Sequence, residues 1–244
     1  MQSIVVEHIP LVWCEPEHTS SRGVVIWLPG FSGTKESVEP QLRKFAEAGF
    51  IAIGFDPYQH GERRMEPQEE LVKRITGNIR RYFWPILTLT AEEIPRIIDW
   101  AIQRFGDSGP IMIGGISMGG DIAVVAAGVD RRIAAVSACL ATPDWLRPGS
   151  HEPPGAADDY ALACYARRNP LTNTQLYSHL PAICFQCGEL DTQVPPDGAE
   201  RFIEALADIY RSCPDRLVVR KHSEVAHRFT EDMLQESIQW FLKN

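Results

Sequence analysis

Three polar residues set far apart in the chain are suited to act together: a serine in Gly115-Ile116-Ser117-Met118-Gly119, an aspartate in Gly188-Glu189-Leu190-Asp191 and a histidine in Val225-Ala226-His227-Arg228. A serine hydroxyl is a weak nucleophile at neutral pH. Acyl transfer from it requires a general base within hydrogen-bond reach and a third group that orients the base. The Gly-x-Ser-x-Gly pattern fits a serine held on a tight strand-to-helix turn, where residues two places either side must lack bulky side chains because strand and helix close together. An apolar run, Pro110 to Gly114, precedes the motif, and a small-residue helical run, Asp121 to Ala127, follows it. Such a turn presents the Ser117 hydroxyl at the strand's carboxyl end, and the first helical turn aims free N–H groups and a positive dipole end towards it.

Asp191 is the candidate acid because its loop follows a β-rich run and brings the carboxylate to the same sheet edge. Asp144, which also follows a strand, is the runner-up. Of seven histidines, only His222 and His227 follow the last expected strand, as the order Ser, Asp, His requires. His222 adjoins the strand end and reads as a packed or solvated terminus, whereas His227 lies on the loop entering the final helix. The negative oxygen of a tetrahedral intermediate needs preorganised N–H donors. Met118 is expected to supply one, and Phe31, in the glycine-bearing loop Pro29-Gly30-Phe31-Ser32-Gly33, the other.

The elements needed to position these groups alternate along the chain. Strands are expected at Ile4–His8, Leu11–Cys14, Gly23–Leu28, Ile51–Phe55, Ile111–Gly114, Ile133–Cys139, Ala182–Gln186 and Leu217–Lys221. Helices are expected at Val38–Ala48, Thr90–Phe105, Asp121–Gly128, Gly198–Tyr210 and Thr230–Leu242. Short apolar strands alternating with amphipathic helices describe an α/β chain with a mostly parallel sheet covered on both faces. Two longer segments, 57–89 and 142–180, interrupt the rhythm after strand carboxyl ends, where such sheets bind ligands. The second is expected to form a small helical lid. Their aromatics read either as core beneath an insertion or as pocket lining, and Trp84 and Trp145 are the candidates for substrate contact.

Composition bounds the rest. With 244 residues, 44% of them hydrophobic, the chain is expected to form a single domain over 1–244. A net charge of −8 repels polyanions and argues against nucleic acid as a partner. No apolar run approaches the ~20 residues of a membrane span, and the N-terminal stretch lacks the features of a secretory signal, so a soluble, cytoplasmic protein is expected. The six cysteines are scattered as buried thiols would be. Cys184 and Cys187, on one strand, point to opposite faces, which disfavours a shared metal or redox site.

Together with Leu28-Pro29-Gly30-Phe31 and Asp56-Pro57-Tyr58-Gln59-His60-Gly61-Glu62-Arg63, these motifs resemble the α/β-hydrolase superfamily over nearly the whole chain. Within it they are similar to small serine esterases of the dienelactone hydrolase-like and prolyl oligopeptidase-like branch. Two departures limit the likeness: dienelactone hydrolases proper carry cysteine at the position of Ser117, and prolyl oligopeptidases carry a large domain with no counterpart in this sequence. The resemblance implies an eight-stranded α/β-hydrolase fold and hydrolysis of carboxylic esters through Ser117, His227 and Asp191, with no cofactor or metal; the shortness of the two insertions points to small or medium acyl groups, and a small-molecule ester is the expected substrate. His60 resembles a family turn position and is expected to be structural. Thioester or amide cleavage by the same triad is the alternative activity, and a non-catalytic small-molecule binder on the same scaffold is the alternative of another class.

Overall fold

The computed structural model describes residues 1–17, 21–106 and 108–244. Within these residues eight strands form one sheet: β1 (Gln2–Val6), β2 (Ile9–Cys14), β3 (Val24–Leu28), β4 (Ile51–Phe55), β5 (Ile111–Ile116), β6 (Ile133–Cys139), β7 (Ala182–Gly188) and β8 (Leu217–His222), in the order β1-β2-β4-β3-β5-β6-β7-β8. β1 pairs antiparallel with β2, and β2 antiparallel with β4. From β4 to β8 all pairings are parallel. β2, β3, β4 and β7 are buried along their whole length, as strands covered on both faces must be.

Among the described residues seven α-helices clothe the sheet: α1 (Glu39–Glu47), α2 (Gln68–Gly77), α3 (Ile79–Phe105), α4 (Met118–Val129), α5 (Asp159–Arg168), α6 (Asp197–Leu206) and α7 (Glu231–Lys243). Side chains alternate across a strand, so Val25 and Trp27 face one layer with Leu42 and Phe45 of α1 and Met233, Ile238 and Phe241 of α7. Ile26 and Leu28 face the other, with α3, α4 and α6. None of the helices is long and apolar enough, among the described residues, to cross a membrane.

β3 lies between β4 and β5, so the chain leaves β3 in one direction along the sheet and returns on its other side. This reversal opens a crevice beyond the carboxyl ends of β3 and β5, which are in register through Leu28 and Gly115.

The segment 57–89, expected to be largely loop, is mostly helical. α2 occupies part of it, and α3 begins at Ile79, eleven residues before the expected start. Asn78 caps α3 through its side chain, which accepts from the Arg81 N–H at 3.1 Å. Pro85 and Pro95 both lie inside α3. Each removes a helical hydrogen bond, but the buried face from Phe83 to Ala101 outweighs that loss. In the segment 142–180, α5 is capped by Asp158, whose carboxylate accepts from the Ala161 N–H.

Trp84 and Trp145 are placed away from any ligand surface: they are 2% and 3% exposed and belong to the core. The Trp84 Nε1–H donates to the Trp145 carbonyl at 3.2 Å, and the Trp84 ring lies 4.6 Å from that of Tyr165. Substrate contact by these two residues is therefore corrected to packing between α3, α5 and the chain after β6. Neighbouring residues on a helix point about 100° apart, so while Phe83 turns to the crevice, Trp84 turns inward. Trp84→Ala is expected to cost about 3–5 kcal/mol of stability, read from urea unfolding; a loss under about 1 kcal/mol would contradict this placement.

Candidate active site

Backbone crowding at the crevice begins with Ser117. It caps α4 with φ 52° and ψ −114°, a left-handed conformation that costs a non-glycine residue on the order of 1–3 kcal/mol and persists only where surroundings over-determine it. The surroundings here are backbone. A Cβ on Gly119 would lie 2.4 Å from the Leu28 carbonyl oxygen and 2.6 Å from that of Pro29, and a Cβ on Gly115 would lie 2.6 Å from the Gly119 backbone. The Ser117 N–H donates to the Cys139 carbonyl at 2.7 Å, fixing the turn to β6.

His227 Nε2 lies 2.9 Å from Ser117 Oγ, and His227 Nδ1 lies 2.7 Å from Asp191 Oδ2. A carboxylate partner places the ring proton on Nδ1 and leaves Nε2 as acceptor for the serine hydroxyl. The other Asp191 oxygen accepts from the backbone N–H groups of Gln193 at 3.0 Å and Val194 at 2.9 Å, so this buried carboxylate is fully partnered. The loops bearing the acid and the imidazole are tied together: the Glu189 N–H donates to the His222 carbonyl and the Leu190 N–H to the Val225 carbonyl, while the Arg228 N–H closes a tight turn around His227 onto the Ala226 carbonyl at 2.8 Å. Gly188 permits this approach, since a Cβ there would stand 2.5 Å from the carbonyl oxygens of both Val225 and Ala226.

The alternatives are engaged elsewhere. Asp144 accepts from Arg201 Nη2 at 2.7 Å and from the Leu146 N–H. His222 Nε2 sits 3.2 Å from Gln186 Oε1, beneath the sheet edge. His60 is buried, with Nδ1 2.9 Å from the Tyr58 carbonyl and its ring 5.7 Å edge-on from Phe31. Burial holds its imidazole below the ordinary histidine pKa.

The Phe31 loop lies directly against the serine: a Cβ on Gly30 would come within 3.9 Å of Ser117 Cβ. Among the described residues neither the Phe31 nor the Met118 backbone N–H has an acceptor, the latter because it precedes the first bond of the α4 ladder. A small cleft of about 30 Å³ opens against Ser117. One wall is apolar, with Phe31, Ile75, Ile79 and Phe83; the other is polar, with Arg147, Glu152 and Gln193.

Asp121, one turn into α4, is fully buried. It accepts from the Thr142 N–H and from Arg147 Nη2, both at 2.7 Å. Burial pushes its carboxyl above the ordinary aspartate pKa, against the pull of Arg147. Sequence reasoning missed Asp121, Gly188 and the polar wall. A charged residue inside the otherwise apolar run of α4 was a legible signal for the first; pairings of Arg147 with residues 26 and 5 positions away leave no local trace. Among the described residues no group of three or more His, Cys, Asp or Glu is arranged to hold a metal ion.

Comparison with known proteins agrees with this architecture. The sequence profile of the alpha/beta hydrolase fold matches residues 23–193. The Bacillus subtilis (strain 168) protein named "Putative esterase YitV" is 24% identical, over 99% of this chain and 97% of its own length. Among solved structures, TT1662 from Thermus thermophilus superposes with a TM-score of 0.80 at 24% identity, covering 99% of this chain and 95% of that one. The butyrate-bound thermophilic esterase Est2 of Thermogutta terrifontis gives 0.66 at 17% identity, covering 99% and 93%.

Because the Gly188 contact is backbone to backbone, Gly188→Ala is expected to displace the His227 loop while leaving the sheet intact. Displacement of about 1 Å in a reacting group costs on the order of 100-fold in rate. Labelling of Ser117 by a fluorophosphonate probe is therefore expected to slow about 100-fold with an unchanged far-ultraviolet circular dichroism spectrum; wild-type labelling would show that the loop does not depend on this glycine.

Proposed function

The chain belongs to the α/β hydrolase family, and on that premise we propose that it is a serine carboxylesterase acting on small or medium acyl esters. The observation that carries this reading is the unbroken line from Asp191 through His227 to Ser117, with contacts of 2.7 and 2.9 Å. Ser117 Oγ attacks the ester carbonyl as its proton passes to His227 Nε2, and Asp191 stabilises the resulting imidazolium. Negative charge moves to the former carbonyl oxygen, which the Phe31 and Met118 N–H groups are poised to meet at the positive end of α4. The tetrahedral intermediate collapses, the ester C–O bond breaks, and the alcohol departs with the proton from His227. Water, deprotonated by the same imidazole, then releases the acid and restores Ser117.

Ester rather than another leaving group is favoured by the names of the similar proteins, YitV and the butyrate-bound Est2. The segments 57–89 and 142–180 act as the site's cover in this reading: Ile75, Ile79 and Phe83 come from the first, Arg147 and Glu152 from the second. The small cleft between them supports a short acyl chain.

Ser117→Ala is expected to remove about 3–8 kcal/mol of transition-state stabilisation, measured as kcat/KM on p-nitrophenyl esters. The wild-type chain is expected to turn over acetate and butyrate esters faster than long-chain ones. Undiminished turnover by the alanine variant would overturn the assignment.

A further inference from the structure

Arg147 is an unusual lining for an esterase cleft, because its charge is already answered. Its side chain is 10% exposed and is held on three sides: Nη2 donates to Asp121 Oδ2 at 2.7 Å, Nη1 to Glu152 Oε2 at 3.1 Å, and the guanidinium lies over the Phe83 ring at 5.2 Å. Two of its five N–H groups are thereby used; the other three have no acceptor among the described residues. Glu152 Oε1 accepts from Gln193 Nε2 at 3.0 Å, while Gln193 Oε1 and its second amide hydrogen are without side-chain or backbone partners among the described residues. The polar wall thus offers spare donors and spare acceptors side by side, fixed in advance by packing and ion pairs.

We propose that this wall binds a neutral, hydroxyl-bearing alcohol, so that the substrate is a short-chain ester of a polyol or sugar. The proposal rests on the esterase reading above and names its substrate class. A carboxylate on the substrate would meet two carboxylates already at the guanidinium, and the chain's net charge of −8 opposes the approach of anions. A hydroxyl carries no charge and is donor and acceptor at once, so it satisfies a spare N–H of Arg147 and the spare oxygen of Gln193 together.

Direction follows from the proton path. Gln193 lies two residues beyond Asp191 and donates its backbone N–H to that carboxylate, so the polar wall stands on the His227 side of the serine. The leaving oxygen must take its proton from His227 Nε2 and therefore departs on that side. The acyl chain is left with the apolar wall of Phe31, Ile79 and Phe83. In the acylation step the bond from Ser117 Oγ to the acyl carbon forms, the bond from that carbon to the alcohol oxygen breaks, and the hydroxylated alcohol leaves neutral.

The test compares kcat/KM of the full-length protein on three acetate esters of similar size: 1-acetylglycerol, propyl acetate and 3-acetoxypropanoate. Since one hydrogen bond to a charged group is worth at least about tenfold in discrimination, acetylglycerol is expected to exceed propyl acetate by tenfold or more, with acetoxypropanoate the poorest. Gln193→Leu and Glu152→Gln are each expected to lower the ratio of acetylglycerol to propyl acetate by at least about threefold. Arg147 is kept, because removing it would strand the buried Asp121 carboxylate. Turnover of propyl acetate with no preference for acetylglycerol, a preference for acetoxypropanoate, or equal losses on both neutral esters in the variants would each overturn the inference while the esterase reading stands. Turnover of none of the three would overturn both.

Discussion

Ser117 is held at φ 52° because three stretches of backbone, the end of β3, the end of β5 and the start of α4, meet more closely than any side chain permits. Gly115 and Gly119 make that meeting possible, and much of the site follows from it. The serine cannot relax into either the strand or the helix, so its hydroxyl projects beyond the sheet edge. The same contact brings the loop after β3 against Ser117, where the Phe31 and Met118 N–H groups have no acceptor among the described residues. Strain of about 1–3 kcal/mol is sustained by a sheet whose inner strands are buried on both faces.

Two buried aspartates flank this turn and do different things. Asp191 spends one oxygen on two backbone N–H groups and the other on His227, which fixes the ring's tautomer as well as its direction. Asp121 takes no part in that line. It anchors Arg147, and through Arg147 the chain after β6, to the helix that begins at the serine. Each carboxylate is buried with its hydrogen-bonding capacity occupied, so both hold their partners in single orientations. The polar wall of the cleft is rigid for the same reason that the imidazole is.

Much of this was legible in the sequence, and the limits are physical. All eight strands could be read because each is a short apolar run closed by Gly, Pro or charged residues. β1 and β2 were misplaced by two residues because the turn between them rests on Glu7 at φ 57°, a conformation that residue type does not announce. α2 escaped notice because only Leu71 and Ile75 of its ten residues are buried, too few for a clear helical period. α3 extends eleven residues ahead of its expected start, across Pro85, which argues locally against helix and is overridden only by packing across the whole layer. Ser117, Asp191 and His227, which the fold brings together, were recognisable by motif and chain order. Gly188, Asp121 and the Arg147 wall act through contacts between distant segments, which no local pattern encodes. Trp84 and Trp145 mislead for a related reason: an aromatic in an insertion looks the same in sequence whether it faces ligand or core.

The central claim is that one strained serine, fed by one imidazole, forms a covalent bond to an acyl group. It is tested most directly by rapid acid quench of the protein with p-nitrophenyl acetate, followed by peptide mass spectrometry. The account predicts an acetyl adduct on Ser117, formed within the first turnover and lost again to hydrolysis once the ester is exhausted. An acetyl group found on another residue, or steady turnover with Ser117 never modified, would contradict it.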